Sequence, residues 1–409
     1  MPNTKTGVSV SNGDQEIQRL LGSIQMKLQS KIPINMVCYI YDDNCALHQQ
    51  IDNVLNGKQF PHQESRDRVL KINGALKQTG LISLMINAGS VSLGRSDILK
   101  IHDKDYIKDL EHYCKLNKPH RFLINNKEVD LSIKNFDSLS SIYAATASVM
   151  GAVQLTCTDC KVGTKDIENF MIREKKTPPV FRSKYPGRVF CNIRPPGHHA
   201  NSKHGAGFCF LNNVAIGARY ALDKYEQIKK ILIVDWDLHH GDGTQDIFAQ
   251  PKGTDSNVMY VSLHRGPDFY PFTGTLADNE KYSNVINSPF AKNTTIDEYM
   301  NHFNNVIFPK ALEFKPDLIF ISAGFDSHRD DMYHELPLDY TDYSYMTRKL
   351  IDLAETCAHG RIISVLEGGY TISVLIRSVS AHIATMIDYD GEVIKQETEK
   401  LDGVIDLIN

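Results

Sequence analysis

Two adjacent histidines stand where this sequence could perform chemistry. His198 and His199 follow two prolines and a glycine in RPPGHHA (194–200). On a strand or a helix, neighbouring side chains diverge, so only a loop aims both rings at one place. The Pro-Pro-Gly turn favours such a loop. By itself, the pair is equally compatible with an ordinary surface loop.

A second group of residues has the composition of a metal site. Asp237 and His239 are separated by one residue after an apolar run, so their side chains can point to the same side, and Asp326 follows another such run. Three protein ligands that leave one position open are typical of catalytic zinc. Two carboxylates and one imidazole also suit iron(II), cobalt(II) or manganese(II). The competing interpretation is a helix-capping Asp237 and a buried, hydrogen-bonded His239.

These residue types predict a metal-assisted hydrolase of an amide or a similar carbonyl compound. A bound metal ion would acidify water and polarise the carbonyl, while His198 or His199 takes a proton and Tyr370 supports the oxyanion. Two further carboxylates, Asp235 and Asp242, flank the metal-site residues. They can hydrogen-bond the Nδ1 atoms of the two histidines and orient each ring.

The elements that position these residues alternate between short apolar runs and longer helical stretches, which predicts a parallel sheet covered on both faces. Five runs are typical of buried strands: VFCNI (189–193), ILIVDW (231–236), VMYVSL (258–263), LIFISA (318–323) and IISVLE (362–367). Apolar spacing predicts helices at 212–225 and 298–314, the second kinked or divided at Pro309. Because ligands bind at the carboxyl ends of parallel strands, we expect the residues after these runs to converge in one crevice.

The composition is ordinary for a globular enzyme, with 409 residues of which 42% are hydrophobic and 23% charged. The net charge of -4 is not that of a dedicated nucleic-acid binder. The eight cysteines show no disulfide framework, and Cys157 and Cys160 are interpreted as free thiols. Without a visible signal peptide or membrane-spanning run, we expect an intracellular protein that binds neither membrane nor specific nucleic acid. The cytoplasm, the nucleus and, for a bacterial effector, a host nucleus are all compatible.

The chain resembles the zinc-dependent histone deacetylases of the arginase/deacetylase superfamily, and the class II branch most closely. The resemblance runs from about residue 39 to 385, and its most specific stretches are RPPGHHA, GFCFLNNVAIGARYA, VDWDLHHGDGTQDIF, YVSLHR, ISAGFDSHRDD and LEGGY. It implies a three-layer α/β/α fold with a central, mainly parallel sheet. It also implies hydrolysis of N6-acetyl-lysine in proteins, histones or nucleosomes among them, with one catalytic Zn²⁺ and a structural K⁺.

The resemblance assigns a catalytic role to each matching residue. The zinc ligands would be Asp237, His239 and Asp326. His199 would be the general base and acid, with His198 as its electrostatic and hydrogen-bonding partner. The two orienting carboxylates and the oxyanion donor would be Asp235 (for His198), Asp242 (for His199) and Tyr370. The K⁺ ion would be held by Asp235, Asp237, His239 and carbonyls near Ser262 and Leu263.

Substrate-binding positions also follow from the resemblance. Gly207, Phe208 and Tyr270 match the tunnel for acetyl-lysine, and plain core packing is the less favoured alternative for the two aromatic residues. Arg68 matches the arginine of the internal channel beside the acetate exit. Tyr333 stands where relatives have a small apolar residue at the rim, and a glutamate there would have suggested polyamine selectivity. For the aspartate that binds substrate at the rim of many relatives, Asp137 is a candidate.

Three parts of the chain are distinguished. Residues 1–34 form a polar segment and an amphipathic helix, which we expect to pack on the main domain or to bind a partner. The resemblance implies a single deacetylase domain over residues 35–390, and we expect residues 391–409 to form a tail. Residues 160–187 are inserted relative to the family. The basic stretch 171–188 is either a plain spacer or a loop that selects protein substrates through their acidic surfaces.

Two other functions stay open. One is an amidohydrolase of acetylpolyamines or other small acylated amines. The other is a non-catalytic scaffold that recruits proteins, which the intact set of catalytic residues disfavours. An arginase-like two-metal centre is also disfavoured, because Ser327 and His328 follow Asp326 and no second carboxylate stands two residues after it.

Overall fold

The computed structural model describes residues 36–387 except 56, 117, 125–126, 136 and 158–186. The predicted N-terminal helix, nearly all of the insertion, Cys160 and the C-terminal tail lie outside the described residues. Cys157 is a free, buried thiol, as predicted. Among the described helices, none combines the length and the apolar character needed to cross a membrane.

Twelve strands are described, and eight of them form one parallel sheet. In chain order the strands are β1 (Val37–Ile40), β2 (Asn53–Leu55), β3 (Lys58–Phe60), β4 (Ile86–Ala88), β5 (His120–Ile124), β6 (Lys127–Ile133), β7 (Arg188–Cys191), β8 (Ile231–Asp235), β9 (Val258–Arg265), β10 (Val285–Phe290), β11 (Leu318–Ala323) and β12 (Ile362–Leu366). The order in the large sheet is β10-β9-β8-β11-β12-β7-β1-β4. Two antiparallel hairpins, β2–β3 and β5–β6, lie outside it.

The helices lie between the strands in the chain. They are α1 (Asp67–Gln78), α2 (Arg95–Ile98), α3 (Lys104–Lys115), α4 (Ser138–Cys157), α5 (Asn213–Lys224), α6 (Asp242–Phe248), α7 (Leu276–Lys281), α8 (Ile296–His302), α9 (Phe308–Phe314), α10 (Tyr340–Cys357) and α11 (Ile372–Ile387). The helix predicted at 298–314 is divided, since a π-helical turn (Phe303–Ile307) separates α8 from α9. Pro309 stands at the start of α9 and has no N–H to donate to the preceding turn, which explains the division.

Successive residues of the strands face two separate hydrophobic clusters. Val234 and Ile321 belong to the cluster that includes buried residues of α1, α10 and α11. Ile233 and Phe320 belong to the cluster formed with α3, α4 and α5. Because side chains alternate between the faces of a strand, a sheet covered on both sides is apolar at nearly every position. The three-layer α/β/α fold is therefore confirmed, with a sheet that is parallel throughout.

The five strands predicted from apolar runs are neighbours in the sheet. Their order is β9-β8-β11-β12-β7, so their carboxyl ends lie side by side. In β8 and β11, Asp235 is in register with Ser322, which places the residues after both strands next to each other. The predicted crevice is formed at this edge, and the chemistry-bearing residues follow directly from it.

Candidate active site

Three buried donor atoms meet after strands β8 and β11. His239 Nδ1 lies 3.1 Å from Asp237 Oδ1 and 3.1 Å from Asp326 Oδ2. The donor atoms of the three residues all lie within 4.8 Å of one another. The backbone orients the second oxygen of each carboxylate, since Leu238 N–H donates to Asp326 Oδ1 (2.9 Å) and Gly368 N–H donates to Asp237 Oδ2 (2.8 Å). The sequence-predicted metal ligands are thus brought together.

The donor set fits a divalent zinc ion. Two carboxylates balance its charge, one imidazole adds a nitrogen ligand, and three protein ligands leave a position open for water or substrate. Glycines leave room around the carboxylates: a Cβ atom at Gly368 would lie 2.4 Å from Asp326 Oδ2, and one at Gly324 would overlap Asp237. A carboxylate that only caps a helix, or a histidine that only packs in the core, would not need this space.

The protonation of the metal-free cluster also fits a site for a cation. Burial lowers the pKa of His239, but its hydrogen bonds to Asp237 and Asp326 outweigh burial and raise the pKa to about 9. Burial, together with the charge of Asp237, raises the pKa of Asp326 to about 6. The metal-free cluster therefore holds a proton on His239 at neutral pH. A metal ion would displace this proton, because a ligating imidazole must be neutral.

The loop after β7 brings the two predicted histidines together. Their ring centroids are 4.0 Å apart. His198 Nδ1 lies 3.1 Å from Asp235 Oδ2, and His199 Nδ1 lies 2.7 Å from Asp242 Oδ1. Both predicted Asp–His pairs are therefore present in the structure. The loop is itself held by Glu367 at the end of β12, whose Oε2 accepts the N–H groups of Gly197 (2.7 Å) and His198 (3.2 Å).

The two histidines differ in their electrostatic surroundings. Burial and the neighbouring charge of His198 lower the pKa of His199 to about 4, although Asp242 opposes them. Burial also acts to lower the pKa of His198, but the charges of Asp237 and Asp235 outweigh it and raise the pKa well above its usual value. In the metal-free site, His199 is therefore the neutral, proton-accepting ring and His198 the positively charged one. This division of labour fits one base and one electrostatic partner.

Tyr370 and Arg68 lie next to each other in the site. The Cζ atom of Arg68 lies 5.0 Å from the centre of the Tyr370 ring. Arg68 is fully buried on α1, and its Nε donates to the carbonyl of Gly369 (2.7 Å) while its Nη2 donates to the carbonyl of Glu367. The backbone N–H of Tyr370 donates to Asp331 Oδ2 (2.8 Å). The strand-end loop that carries the tyrosine is thus held from two sides.

Aromatic side chains surround the histidines and the metal-site residues. The ring of Tyr270 lies 5.2 Å from that of His199, and Phe208 lies 5.8 Å from Tyr370. Tyr333 lies 5.1 Å from the His239 ring and 5.7 Å from Tyr370. These positions are those expected of pocket walls, and the substrate-binding role of the aromatic residues stays a prediction.

Gly207 permits a close approach that a larger residue would prevent. Its φ is 50°, and a Cβ atom there would lie 2.4 Å from Cδ2 of His199. The next residue, Phe208, also adopts a left-handed conformation (φ 67°), which is strained for a bulky side chain. The chain is bent here so that it passes directly beside His199.

For the aspartate at the rim, the structure offers a second candidate beside the one chosen from the sequence. Asp137 lies just before α4, and its carboxylate accepts a hydrogen bond from Asn135 Nδ2 (3.4 Å). Asp130 of β6 lies beside the aromatic walls: its carbonyl accepts the N–H of Phe208 (2.7 Å), and its half-exposed carboxylate lies 3.8 Å from His62 Nε2. The charge of Asp130 contributes to raising the pKa of both Tyr270 and Tyr333, which burial raises most.

Other buried polar residues of the site were not predicted. Arg194 Nε binds Glu64 Oε1 (2.5 Å), and Asp331 holds the loop of Tyr370. Arg194 opens the motif RPPGHHA, so its charge was visible in the sequence, but its partner lies 130 residues away. The potassium site also stays a prediction. In its favour, Asp235 is in register with Ser262 between β8 and β9.

Comparisons with known proteins all indicate the same family. Residues 62–386 match the histone deacetylase domain family. The chain is 33% identical to histone deacetylase 6 of Caenorhabditis elegans over 383 residues, covering 89% of this chain and 35% of that protein. It is 31% identical to type-2 histone deacetylase 2 of Dictyostelium discoideum over 427 residues, covering 96% of this chain and 23% of that protein. The chain thus spans a quarter to a third of these two relatives.

A shorter relative and a solved structure agree with this. A probable deacetylase of Archaeoglobus fulgidus is 31% identical over 356 residues, which cover 84% of this chain and 87% of that protein. The crystal structure of the HDA15 HD domain superposes with a TM-score of 0.68 at 27% identity, covering 86% of this chain and 88% of that one. The match to the domain family, the relatives that include class II-like enzymes, and the shared eight-stranded fold show that the chain belongs to the histone deacetylase family.

Proposed function

We propose that the protein hydrolyses N6-acetyl-lysine in proteins or peptides, releasing acetate and free lysine in a zinc-dependent reaction. The observation that carries this proposal is the meeting of the Asp237–His239–Asp326 donor set with the Asp-paired imidazole of His199, inside aromatic walls. Histones and nucleosomes are among the substrates we propose, because several similar proteins bear the name histone deacetylase.

Zinc would be held by Asp237, His239 and Asp326. When bound, it supplies a Lewis acid that polarises the amide carbonyl and lowers the pKa of water. The residues of this chain do the rest. His199 Nε2 accepts the proton of the attacking water, while Asp242 keeps the proton of Nδ1 in place.

The later steps use the same residues in other roles. As the C–N bond breaks, His199 delivers the proton that it took from water to the departing lysine amine. The same imidazole thus acts first as the base and then as the acid. His198, paired with Asp235, contributes its positive charge to the developing negative charge. Tyr370 donates its hydroxyl proton in a hydrogen bond to the oxyanion. Arg68, buried behind Tyr370, offers a cation to the acetate product.

Replacing Tyr370 with phenylalanine is expected to reduce kcat about 10²–10³-fold, the range for loss of one oxyanion donor. Zinc content should stay at the wild-type value, because the hydroxyl is outside the donor set. Steady-state kinetics with an acetyl-lysine peptide and elemental analysis of the same preparation measure both quantities. Tyr345→Phe, which changes an exposed hydroxyl on α10, is the matched control. An unchanged kcat in the Tyr370 variant would remove this tyrosine from the mechanism.

The substrate class is tested by comparing the kcat/KM values of two substrates. The protein is assayed with an acetyl-lysine peptide and with acetylspermidine under identical conditions. We expect a higher kcat/KM for the peptide, because Tyr333 offers a neutral aromatic wall instead of a carboxylate to a polyamine cation. A preference for acetylspermidine would favour the alternative amidohydrolase. Turnover of neither compound by zinc-loaded protein would favour the scaffold.

We propose that Asp130 takes the rim role, because its half-exposed carboxylate lies beside the aromatic walls and would accept backbone N–H groups of a bound peptide. Asp130→Asn is expected to lower kcat/KM for a peptide about 10- to 10²-fold, mainly through KM, since one charge-assisted hydrogen bond contributes roughly 1.5–3 kcal/mol. Acetyl-lysine alone, which lacks flanking peptide, should be affected less. Asp137→Asn serves as the control, and an equal effect of both substitutions on peptide KM would contradict the assignment.

A further inference from the structure

A second group of side chains has the composition of a metal site, and it includes His198 of the loop after β7. A ring nitrogen of His198, the Sγ atom of Cys209 and a carboxylate oxygen of Glu367 all lie within 4.8 Å of one another, and all three residues are buried. The group shares no residue with the Asp237–His239–Asp326 set. Its three members come from the loop after β7, the segment before α5 and the end of β12.

One atom of this group lacks a partner. Glu367 is fully buried, and its Oε2 accepts the N–H groups of Gly197 and His198. Its Oε1 is also buried and has no hydrogen-bond partner among the described residues. A buried carboxylate oxygen without a partner is costly, and bound cations are one way in which proteins satisfy it.

The chemistry of the donors suits a soft divalent metal ion. Cys thiolate and His imidazole are preferred ligands of zinc, and one carboxylate completes a three-ligand set. A thiolate and a carboxylate together balance the two positive charges of the ion, so the occupied site would be neutral in the protein interior. Burial raises the pKa of Cys209 well above its usual value and that of Glu367 to about 7. The metal-free thiol is therefore protonated, and a metal ion would displace its proton.

We propose that His198, Cys209 and Glu367 form a second, inhibitory site for zinc. Occupation of this site engages His198, which pairs with Asp235 and lies 3.8 Å from Asp237 Oδ1. A metal ion on the His198 ring would compete with its pairing to Asp235 and would shift the ring that packs 4.0 Å from His199. The inhibition rests on the proposed function, whereas the metal binding does not.

Cobalt(II) is the probe that separates the two sites. The Asp-His-Asp set contains no sulfur, so cobalt bound there gives no thiolate-to-metal charge-transfer absorption. Metal-depleted protein is titrated with Co²⁺ and the near-ultraviolet absorption is recorded. We expect two Co²⁺ ions to bind per chain. The thiolate-to-metal charge-transfer band should grow as the more weakly bound ion is added. Asp237→Ala should no longer bind the Co²⁺ ion of the Asp237–His239–Asp326 set, but it should keep the charge-transfer band.

The substitutions are chosen to leave the proposed catalytic residues in place. Cys209→Ala is expected to abolish the band and the second equivalent while keeping the first equivalent and the basal turnover. The matched control is Cys191→Ala, which changes a buried cysteine of β7. This variant should keep both the band and the second equivalent. Cys209→Ser preserves the side-chain volume if the alanine variant folds poorly. Glu367→Gln retains an acceptor for Gly197 and His198 but lacks the charge, so it should weaken the second metal.

Inhibition gives the functional readout. With one zinc equivalent bound, excess Zn²⁺ is expected to lower peptide turnover about 10²-fold, the lower end of the range for loss of one electrostatic contact to the developing charge. Cys209→Ala should require at least tenfold more zinc for the same inhibition. Absence of the charge-transfer band, or inhibition of Cys209→Ala at wild-type zinc concentrations, would overturn the proposal. If the band forms but acetyl-lysine is never hydrolysed, the second site stands and the proposed function fails.

Discussion

Asp326→Ala is expected to abolish stoichiometric zinc binding and reduce deacetylation at least about 10³-fold, because a Lewis acid contributes several kcal/mol to the transition state. The residue is fully buried and lies 3.1 Å from His239 Nδ1, so its loss takes one of two balancing charges from the site. Elemental analysis and peptide turnover are measured on the same sample. Asp330→Ala, an exposed carboxylate four positions along, is the control.

The pH dependence of metal binding follows from the same cluster. The pKa of His239 in the metal-free site is about 9, so this ring is protonated at neutral pH and zinc must displace the proton. Zinc affinity is therefore expected to rise roughly tenfold per pH unit between pH 7 and about pH 9, and to level off above it. Calorimetric titration in buffers of different ionisation enthalpy counts the released proton. Full zinc occupancy in Asp326→Ala, or affinity independent of pH, would contradict the ligand assignment.

His199→Ala is expected to lower kcat about 10²–10⁴-fold, the range for loss of a general acid–base group, with zinc retained. Burial and the neighbouring His198 lower the pKa of His199 to about 4. A base must be unprotonated to act, so a lowered pKa moves the acid limb of the kcat profile to lower pH than an ordinary histidine would give. Turnover at saturating peptide is measured from pH 5 to 8.

A nearby histidine provides the control for that experiment. His204 lies five residues further on, where its Nε2 lies 3.0 Å from Asn201 Nδ2. His204→Ala should therefore keep kcat within a few-fold of the wild type. Equal losses in both variants would indicate general damage to the loop. A His199→Ala enzyme with wild-type kcat would assign the base to another residue.

The sequence by itself determined the layered sheet and the main candidate residues. Apolar runs bounded by polar residues are a local property, so the five strands were predicted nearly to their ends. The spacing of Asp237 and His239 is local too, and the rule that ligands bind at carboxyl strand ends added Asp326. The pairing of Asp235 and Asp242 with the two histidines was likewise inferred before the structure showed it.

Only the tertiary structure decided the contacts that join distant segments. Asp130 lies at the pocket wall because the β5–β6 hairpin brings its carbonyl to Phe208, 78 positions away, whereas Asp137 lies at the start of a helix. Glu367 meets the loop of His198 across 169 positions, and Cys209 completes that group. Such contacts between distant residues cannot be predicted from periodicity or spacing along the chain. They depend on how closely buried elements pack, and that is settled by the shapes of side chains throughout the core.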